Sequence, residues 1–267
     1  MSLRKPLEIP VYKHVAGRKL LDLMVEADAT LSTFDKLIDV LTELKVDIYS
    51  ATIVRRGDLR SFEAFIDITE SPLTLEELKK RVQSIPGVKR IEVAEEKLPG
   101  LAVRSFSYPL VIEEQPVVLI EQPIWTGFIQ EFKRTYGSGA LSILYHVGYQ
   151  GGVVQARRWK PFIKDDPRRG IEALLLIAKA MGWGDIQLDE FSSKRIAVKV
   201  FDCPECAFLR GMAKTPQNQM LRGFLSGLFS EILGWEVTFS EERCIAKGDQ
   251  HCLFVHEVKE SNKRQPS

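Results

Sequence analysis

All four cysteines of this chain lie in its last quarter, where they form two closely spaced pairs. Cys203 and Cys206 enclose a Pro-Glu dipeptide, and seven residues separate Cys244 from Cys252. A C-x-x-C pair followed by a second pair further along the chain is typical of a zinc site with four thiolate ligands. Four thiolates would complete the coordination shell, so the spacing predicts a structural zinc site rather than a catalytic one.

Two other interpretations of the cysteines stay open. They could form two disulfides or remain buried thiols without a metal, and a C-x-x-C pair also occurs in redox proteins. However, the redox motif usually opens a helix that follows a strand, and the order of elements here differs. The first residues lack the apolar core of a signal peptide, so we expect a cytoplasmic, reducing location, which favours thiolates and metal.

Composition excludes several classes of partner. The chain has 267 residues, is 45% hydrophobic and 27% charged, and carries a formal net charge of +1. This balance provides no overall field that would attract nucleic acid or a membrane surface. Its apolar runs are far shorter than the ~20 residues that a membrane span requires. We therefore expect no direct binding of nucleic acid and no membrane span.

The first third of the chain alternates between strand and helix patterns. Two helices are predicted, with Ser32 and Asp35 as one capping pair and Thr74 and Glu77 as another. The strand candidates are Lys19 to Ala27, Val46 to Arg55, Ser61 to Thr69 and Val88 to Val93. The order β-α-β-β-α-β is that of the ferredoxin-like fold.

This order resembles the ACT-type regulatory domain, in which such units pair and bind amino acids at their interface. ACT domains that bind amino acids usually carry a glycine in the turn after the first strand. Here the corresponding turn, Ala27 to Leu31, contains none, and this hinders close approach of a ligand to the backbone. We therefore expect residues 1–97 to serve dimerisation or regulation in a homodimer rather than to bind an amino acid.

The remainder predicts a second α/β domain, residues 105–260, with an antiparallel sheet and helices. A long helix is expected from Pro216 to Leu233, followed by two strands, Trp235 to Arg243 and His251 to Val258. The fold class is thus α+β with two domains. Residues 261–267 are polar, and we expect a disordered tail there.

The end of this second domain resembles the V4R, or 4-vinyl reductase, family of hydrocarbon-binding domains. The resemblance rests on Glu241 three residues before Cys244, then Gly248, then Cys252 two residues before Phe254. It implies an α/β domain that binds a small, mostly apolar molecule. In the family's aromatic sensors, a structural zinc supports the pocket.

The zinc ligands of those sensors carry over only in part. The resemblance implies Cys244 and Cys252 as ligands, with Glu241 as an alternative. A third cysteine would fall near Asn218, where this chain has none. Cys203 and Cys206 are the available substitutes.

Candidate ligand-pocket residues come from the aromatic and histidine positions of this domain. His146 lies in a glycine-rich helix and could hydrogen-bond a polar group of a ligand. The aromatic candidates are Tyr149, Trp159, Phe201 and Trp235. Each is also compatible with an ordinary structural role, because aromatic side chains at such spacings commonly form the core.

The sequence contains no phosphate-binding loop, hydrolase, metalloprotease or dinucleotide motif. We therefore predict no catalytic residues and a non-catalytic regulatory or sensor protein that binds an apolar small molecule. One alternative is a reductase or pigment-pathway enzyme of the 4-vinyl reductase type. Another is a protein–protein adaptor without a ligand.

Overall fold

The structure is a computed structural model that describes residues 6–72, 74–163 and 166–258. The chain divides into two compact units, Met1–Val118 and Leu119–Ser267. The domain limits predicted from the sequence remain predictions, because compactness alone does not show which part folds independently. The predicted tail, residues 261–267, lies outside the described residues.

The described part of the first unit has two α-helices and several strands. In chain order these elements are β1 (Tyr12–His14), β2 (Leu20–Asp28), α1 (Leu31–Glu43), β3 (Asp47–Arg56), β4 (Leu59–Asp67), α2 (Leu75–Gln83), β5 (Val88–Glu95), β6 (Leu101–Val103), β7 (Val111–Ile112) and β8 (Gln115–Pro116). Its main sheet has four antiparallel strands in the order β3-β4-β2-β5. Together with α1 and α2 this is the predicted ferredoxin-like arrangement.

Alternation along the strands separates the two faces of this sheet. Leu21, Leu23 and Val25 of β2 form one core with Phe34 of α1 and Leu78 of α2. The opposite face carries a smaller cluster of Leu20, Phe65 and Ala102. The short antiparallel pair of β1 and β6 contributes Ala102 to that cluster.

Asp22 is buried on this second face with a salt-bridge partner from the same unit. The guanidinium of Arg104 lies 2.8 Å from Asp22 Oδ1, and the Ser105 N–H donates to Asp22 Oδ2 at 2.7 Å. Arg104 also lies over the ring of Phe65, 4.5 Å from its centre. Burial raises the pKa of the Asp22 carboxyl, and the bonds to Ser105 and Arg104 oppose that rise.

The two predicted capping pairs had different outcomes. Thr74 and Glu77 form a complete capping box at the start of α2, as predicted. The prediction for Ser32 and Asp35 was wrong, because α1 begins at Leu31 after an N-cap at Thr30 whose side chain makes no capping bond.

Among the residues that the structure describes, the second unit has four α-helices and a four-stranded sheet. Its elements are α3 (Gln122–Tyr136), α4 (Ser138–Trp159), α5 (Pro167–Ala180), β9 (Asp185–Phe191), β10 (Arg195–Phe201), α6 (Gln219–Leu233), β11 (Ser240–Arg243) and β12 (Cys252–Glu257). The sheet is antiparallel in the order β11-β12-β10-β9. Its main core combines apolar side chains of α5, α6 and the sheet.

Glycines allow α4 and α6 to approach each other closely. Gly148 and Gly152 of α4 face the backbone of α6, and Gly223 and Gly227 of α6 face the backbone of α4. A Cβ atom at any of the four would overlap a backbone carbonyl oxygen of the opposite helix. Only glycine therefore fits at these positions without moving a helix.

Two predicted boundaries in this unit were too generous. Helix α6 begins at Gln219 rather than Pro216, since Asn218 has non-helical backbone angles, φ −91° and ψ 63°. The strand predicted from Trp235 forms only at Ser240–Arg243. In the segment between α6 and β11, the Val237 N–H donates to the Ser230 hydroxyl at 2.8 Å and the Phe239 N–H donates to the Ser226 hydroxyl at 3.1 Å. These N–H groups therefore do not join the sheet.

Among the described residues, no helix combines the length and apolar character needed to cross a lipid bilayer.

Candidate metal centre

The Cys203–Cys206 segment forms a tight turn directly after β10. Asp202 adopts a positive φ of 52° between the strand and the turn. The N–H groups of Cys206 and Ala207 both donate to the carbonyl of Cys203, at 3.2 and 2.9 Å. Both cysteine side chains are fully buried. The turn thus directs two sulfur atoms into the interior at the end of the sheet.

The second cysteine pair flanks the loop between β11 and β12. The ladder of these strands ends at the pair Arg243 and Leu253. Cys244 comes directly after Arg243 and Cys252 directly before Leu253, so both cysteines lie where the ladder ends. Between them, Ile245–Lys247 form a 3₁₀ turn in place of ladder pairs. Asp249 Oδ2 accepts the Cys244 N–H at 2.8 Å and stabilises this loop.

The four sulfur atoms converge in one buried cluster. Cys206 Sγ and Cys252 Sγ are 3.5 Å apart, and all four cysteines are free thiols. Cys203, Cys206 and Cys252 have their sulfurs within 4.8 Å of one another, and the ligand atoms of Glu241, Cys244 and Cys252 meet the same limit. Cys252 belongs to both groups. Tetrahedral zinc with Zn–S bonds of ~2.3 Å would hold its sulfurs ~3.8 Å apart, so each of these groups of three is close enough to share a metal ion.

The thiols share their protons unequally. Burial raises the pKa of Cys203. Hydrogen bonds from Cys203, Cys244 and Cys252 lower the pKa of Cys206. The bond to Cys206 is in turn the largest cause that raises the pKa of Cys244, to about 12. Metal ligation requires deprotonated thiols, so a bound cation would replace the protons of this cluster.

Two carboxylates adjoin the sulfurs. Glu205, between the paired cysteines, is buried, and this burial raises the pKa of its carboxyl to about 7. Glu241, the alternative ligand predicted from the sequence, is half-buried, and burial raises the pKa of its carboxyl as well. Both Glu241 oxygens accept hydrogen bonds from Asn218.

Asn218 is a site residue that the sequence did not identify as functional. It is fully buried, and its side-chain amide lies within hydrogen-bonding distance of three of the four cysteine sulfurs. The available signal was its position, since a third family cysteine was expected there and the chain has asparagine instead. At that position, the polar side chain of Asn218 contacts the sulfur cluster.

The second unit also has an open apolar cleft of about 440 Å³ at the end of α4. Trp159, Phe162 and Ile163 form one wall, and residues of α5 form the other. Gly170 makes room for the Ile163 side chain, which a Cβ there would overlap. Asp166 and Arg169 are its charged lining residues. Of the lining residues, the sequence identified only Trp159, because helical spacing does not reveal which side chains border a cleft.

The other four predicted pocket residues lie elsewhere and do not line this cleft. His146 is exposed on α4 beside Tyr145, with 5.6 Å between their ring centres. Tyr149 is half-buried where α4 crosses the glycines of α6. Phe201 lies 5.2 Å from the ring of His251, and Trp235 lies 5.5 Å from that of His256.

The V4R domain model matches residues 196–258, so this part of the chain is a V4R domain. The segment includes both cysteine pairs, Asn218 and Glu241. No curated protein matches the chain.

Two solved structures are similar to about half of this chain. The chain is 19% identical to the phenol-responsive sensory domain of the transcription activator PoxR, with 55% of this chain and 79% of that chain covered and a TM-score of 0.50. A vinyl-4-reductase family protein from Methanocaldococcus jannaschii is 21% identical, with 54% and 85% covered and a TM-score of 0.40.

Another match covers a smaller share of this chain. An ACT domain of GTP pyrophosphokinase from Chlorobium tepidum is 13% identical, with 29% of this chain and 99% of that chain covered and a TM-score of 0.25.

Proposed function

We propose that this protein is a non-catalytic, ligand-binding regulatory protein whose V4R domain holds an apolar small molecule and is stabilised by a structural zinc ion. The observation that carries the proposal is the buried cluster of four free thiols, which joins the turn after β10 to the loop between β11 and β12. A cluster that joins distant segments of a domain is suited to hold its shape.

In this proposal, Cys203, Cys206, Cys244 and Cys252 hold the zinc. Four protein ligands leave no open coordination position, so the ion would stabilise the fold and would not activate water or substrate. Cys252, which belongs to both groups of potential ligands, would join the two cysteine pairs at the ion. Thiolates of this kind persist in a reducing compartment, and a cytoplasmic location is part of the proposal.

The proposed ligand site is the cleft beside Trp159. Its volume exceeds the ~300 Å³ at which ligand pockets begin. Ala173, Leu174 and Ile177 of α5 face Trp159 and Phe162 across it, which favours an apolar or aromatic molecule. The phenol-responsive domain that shares this fold is a precedent for a sensor role.

We propose that the first unit is an ACT-like regulatory module that pairs two copies of the chain. The ferredoxin-like sheet supports this assignment, because β3 is an edge strand of ten residues with exposed Ile53 and Val54. Long exposed edges are where sheets of two chains can join. Direct binding of nucleic acid is not part of the proposal.

A binding experiment with 1-naphthol as probe tests the ligand site. Ala173→Phe fills the cleft, and we expect it to weaken binding at least about tenfold, measured by quenching of tryptophan fluorescence. Leu176→Phe on the exposed side of α5 is the matched control, because Leu176 does not line the cleft and is 63% exposed. Equal binding by both variants would contradict the assignment.

A further inference from the structure

Asn218 does not serve the helix that it precedes. As the N-cap residue of α6 it would normally accept a bond from the first turn, yet its side chain makes no capping bond. Its amide instead reaches into the thiol cluster. Oδ1 is 3.1 Å from Cys203 Sγ, and Nδ2 is 3.1 Å from Cys252 Sγ and 3.6 Å from Cys244 Sγ.

Glu205 caps α6 in place of Asn218. Its Oε1 accepts the Met220 N–H at 3.1 Å, and its Oε2 accepts the Leu221 N–H at 3.0 Å. These are the donors that an N-cap side chain would satisfy. Since Glu205 belongs to the Cys203–Cys206 turn, the same contact fixes that turn to the start of α6 and frees the Asn218 amide for the sulfurs.

Both carboxylate oxygens of Glu241 are occupied by Asn218. Oε1 is 2.5 Å from Asn218 Nδ2, and Oε2 accepts the Asn218 backbone N–H at 3.1 Å. Each carboxylate oxygen has a second lone pair, so these bonds position Glu241 without blocking coordination. Four thiolates, however, would complete a tetrahedral shell and leave Glu241 outside it.

We infer that Asn218 and Glu241 form an outer layer around a four-sulfur metal site, in which the two Nδ2 hydrogens of Asn218 go to the sulfur of Cys252 and to Glu241, and Glu241 orients Asn218 without binding the metal. This inference rests on the proposed zinc site. It makes both residues positioning residues, comparable to the hydrogen-bonded partners that orient ligands in other metal sites.

Cobalt(II) loading of the full-length protein tests the ligand set. The intensity of sulfur-to-cobalt charge transfer reports the number of thiolate ligands. We expect Cys203→Ser to lower it by about a quarter, the share of one ligand in a four-thiolate shell. Glu241→Gln should leave it unchanged. The opposite pattern, loss of metal in Glu241→Gln and no change in Cys203→Ser, would overturn the inference.

Competition for zinc with a chelator tests the outer layer. Asn218→Asp removes the N–H donor, and we expect zinc affinity to fall by about 10–100-fold, as for other outer partners of metal ligands. Gln217→Glu adds the same charge one residue away, where the side chain bonds Thr215 instead of the sulfurs, and should retain the wild-type affinity. Equal affinity of Asn218→Asp and wild type would contradict the role of Asn218.

X-ray absorption of the zinc-loaded wild-type protein decides the question even where a variant does not fold. Four sulfur neighbours are expected, and an oxygen neighbour at ~2.0–2.2 Å would identify Glu241 as a ligand and overturn the inference. Wild-type protein that binds neither zinc nor cobalt would refute the proposed metal site itself. Zinc affinity that is insensitive to Asn218→Asp, with four sulfur neighbours present, would refute only the outer layer.

Discussion

Asp22 in the first unit and the cysteine cluster in the second are both buried polar groups, but they find partners of different kinds. Asp22 has an opposite charge 2.8 Å away on Arg104 and a backbone N–H at 2.7 Å. The sulfurs of the second unit adjoin one another, two carboxylates and the neutral amide of Asn218. Among the described residues, no lysine or arginine forms an ion pair with Glu241.

The difference concerns where the balancing charge comes from. In the first unit, the buried charge of Asp22 is balanced by Arg104, a side chain of the same unit. Deprotonated thiols in the second unit would have no such partner within the described residues, and a bound cation is the simplest source of balance. We therefore expect metal to control the stability of the second unit and to leave the first unit unaffected.

Loss of Cys252 should have the largest effect, because this residue belongs to both groups of potential ligands. We expect Cys252→Ser to destabilise the second unit by at least ~5 kcal/mol, since structural zinc contributes ~10–16 kcal/mol of apparent binding free energy in small domains. Calorimetry of the full chain, with chelator-treated wild type as reference, measures this loss of stability. Equal unfolding temperatures for variant and zinc-loaded wild type would show that the cysteines do not hold a stabilising ion.

Removal of Asp22 tests the first unit, where the buried charge has a partner within the unit. Asp22→Ala leaves the buried Arg104 charge without its main partner, and we expect a loss of ~3–5 kcal/mol in denaturant unfolding of the first unit. Glu43→Ala is the control, because the Glu43–Arg81 pair is exposed and should contribute no more than ~1 kcal/mol. Similar losses in the two variants would remove the distinction between buried and exposed pairs.

The glycine contacts between α4 and α6 provide a test of the second unit that does not involve metal. Gly148→Ala places a Cβ against the Met220 carbonyl, and we expect a loss of ~1–3 kcal/mol in thermal unfolding. Gly151→Ala in the same helix meets only a Phe224 ring carbon at 3.8 Å, and should stabilise by up to ~1 kcal/mol through helix propensity. Equal effects would mean that the helices can separate without cost.

The pH dependence of the first unit should be the smallest of these effects. Because burial raises the pKa of Asp22 above its ordinary value of 3.8, the folded protein retains this proton to higher pH than the unfolded chain. The contribution of Asp22 to the free energy of unfolding is therefore greatest below 3.8 and declines as pH rises through the folded-state pKa.

Asp22→Asn should abolish this decline in urea titrations at a series of pH values. Arg104 and Glu63 are the charged groups that face the carboxyl, and both remain in the variant. A decline of equal size in Asp22→Asn would assign it to another group.

Local patterns in the sequence predicted much of this architecture. The succession of strands in the first unit follows from alternating apolar residues, and Thr74 with Glu77 forms a cap that depends only on three-residue spacing. The cysteines were equally visible, because a turn and a hairpin loop place them by short-range geometry. The partners of the sulfurs could not be predicted from the sequence. The position of Asn218 depends on where α6 begins and on the capping of α6 by Glu205 from another segment.

The metal content of the purified, folded, full-length protein is the most direct test of the central claim. Native mass spectrometry with elemental analysis should find one zinc ion per chain, and all four thiols should react with a thiol reagent only after chelation. A folded chain without metal, whose four thiols are free without chelation, would contradict the proposed zinc site.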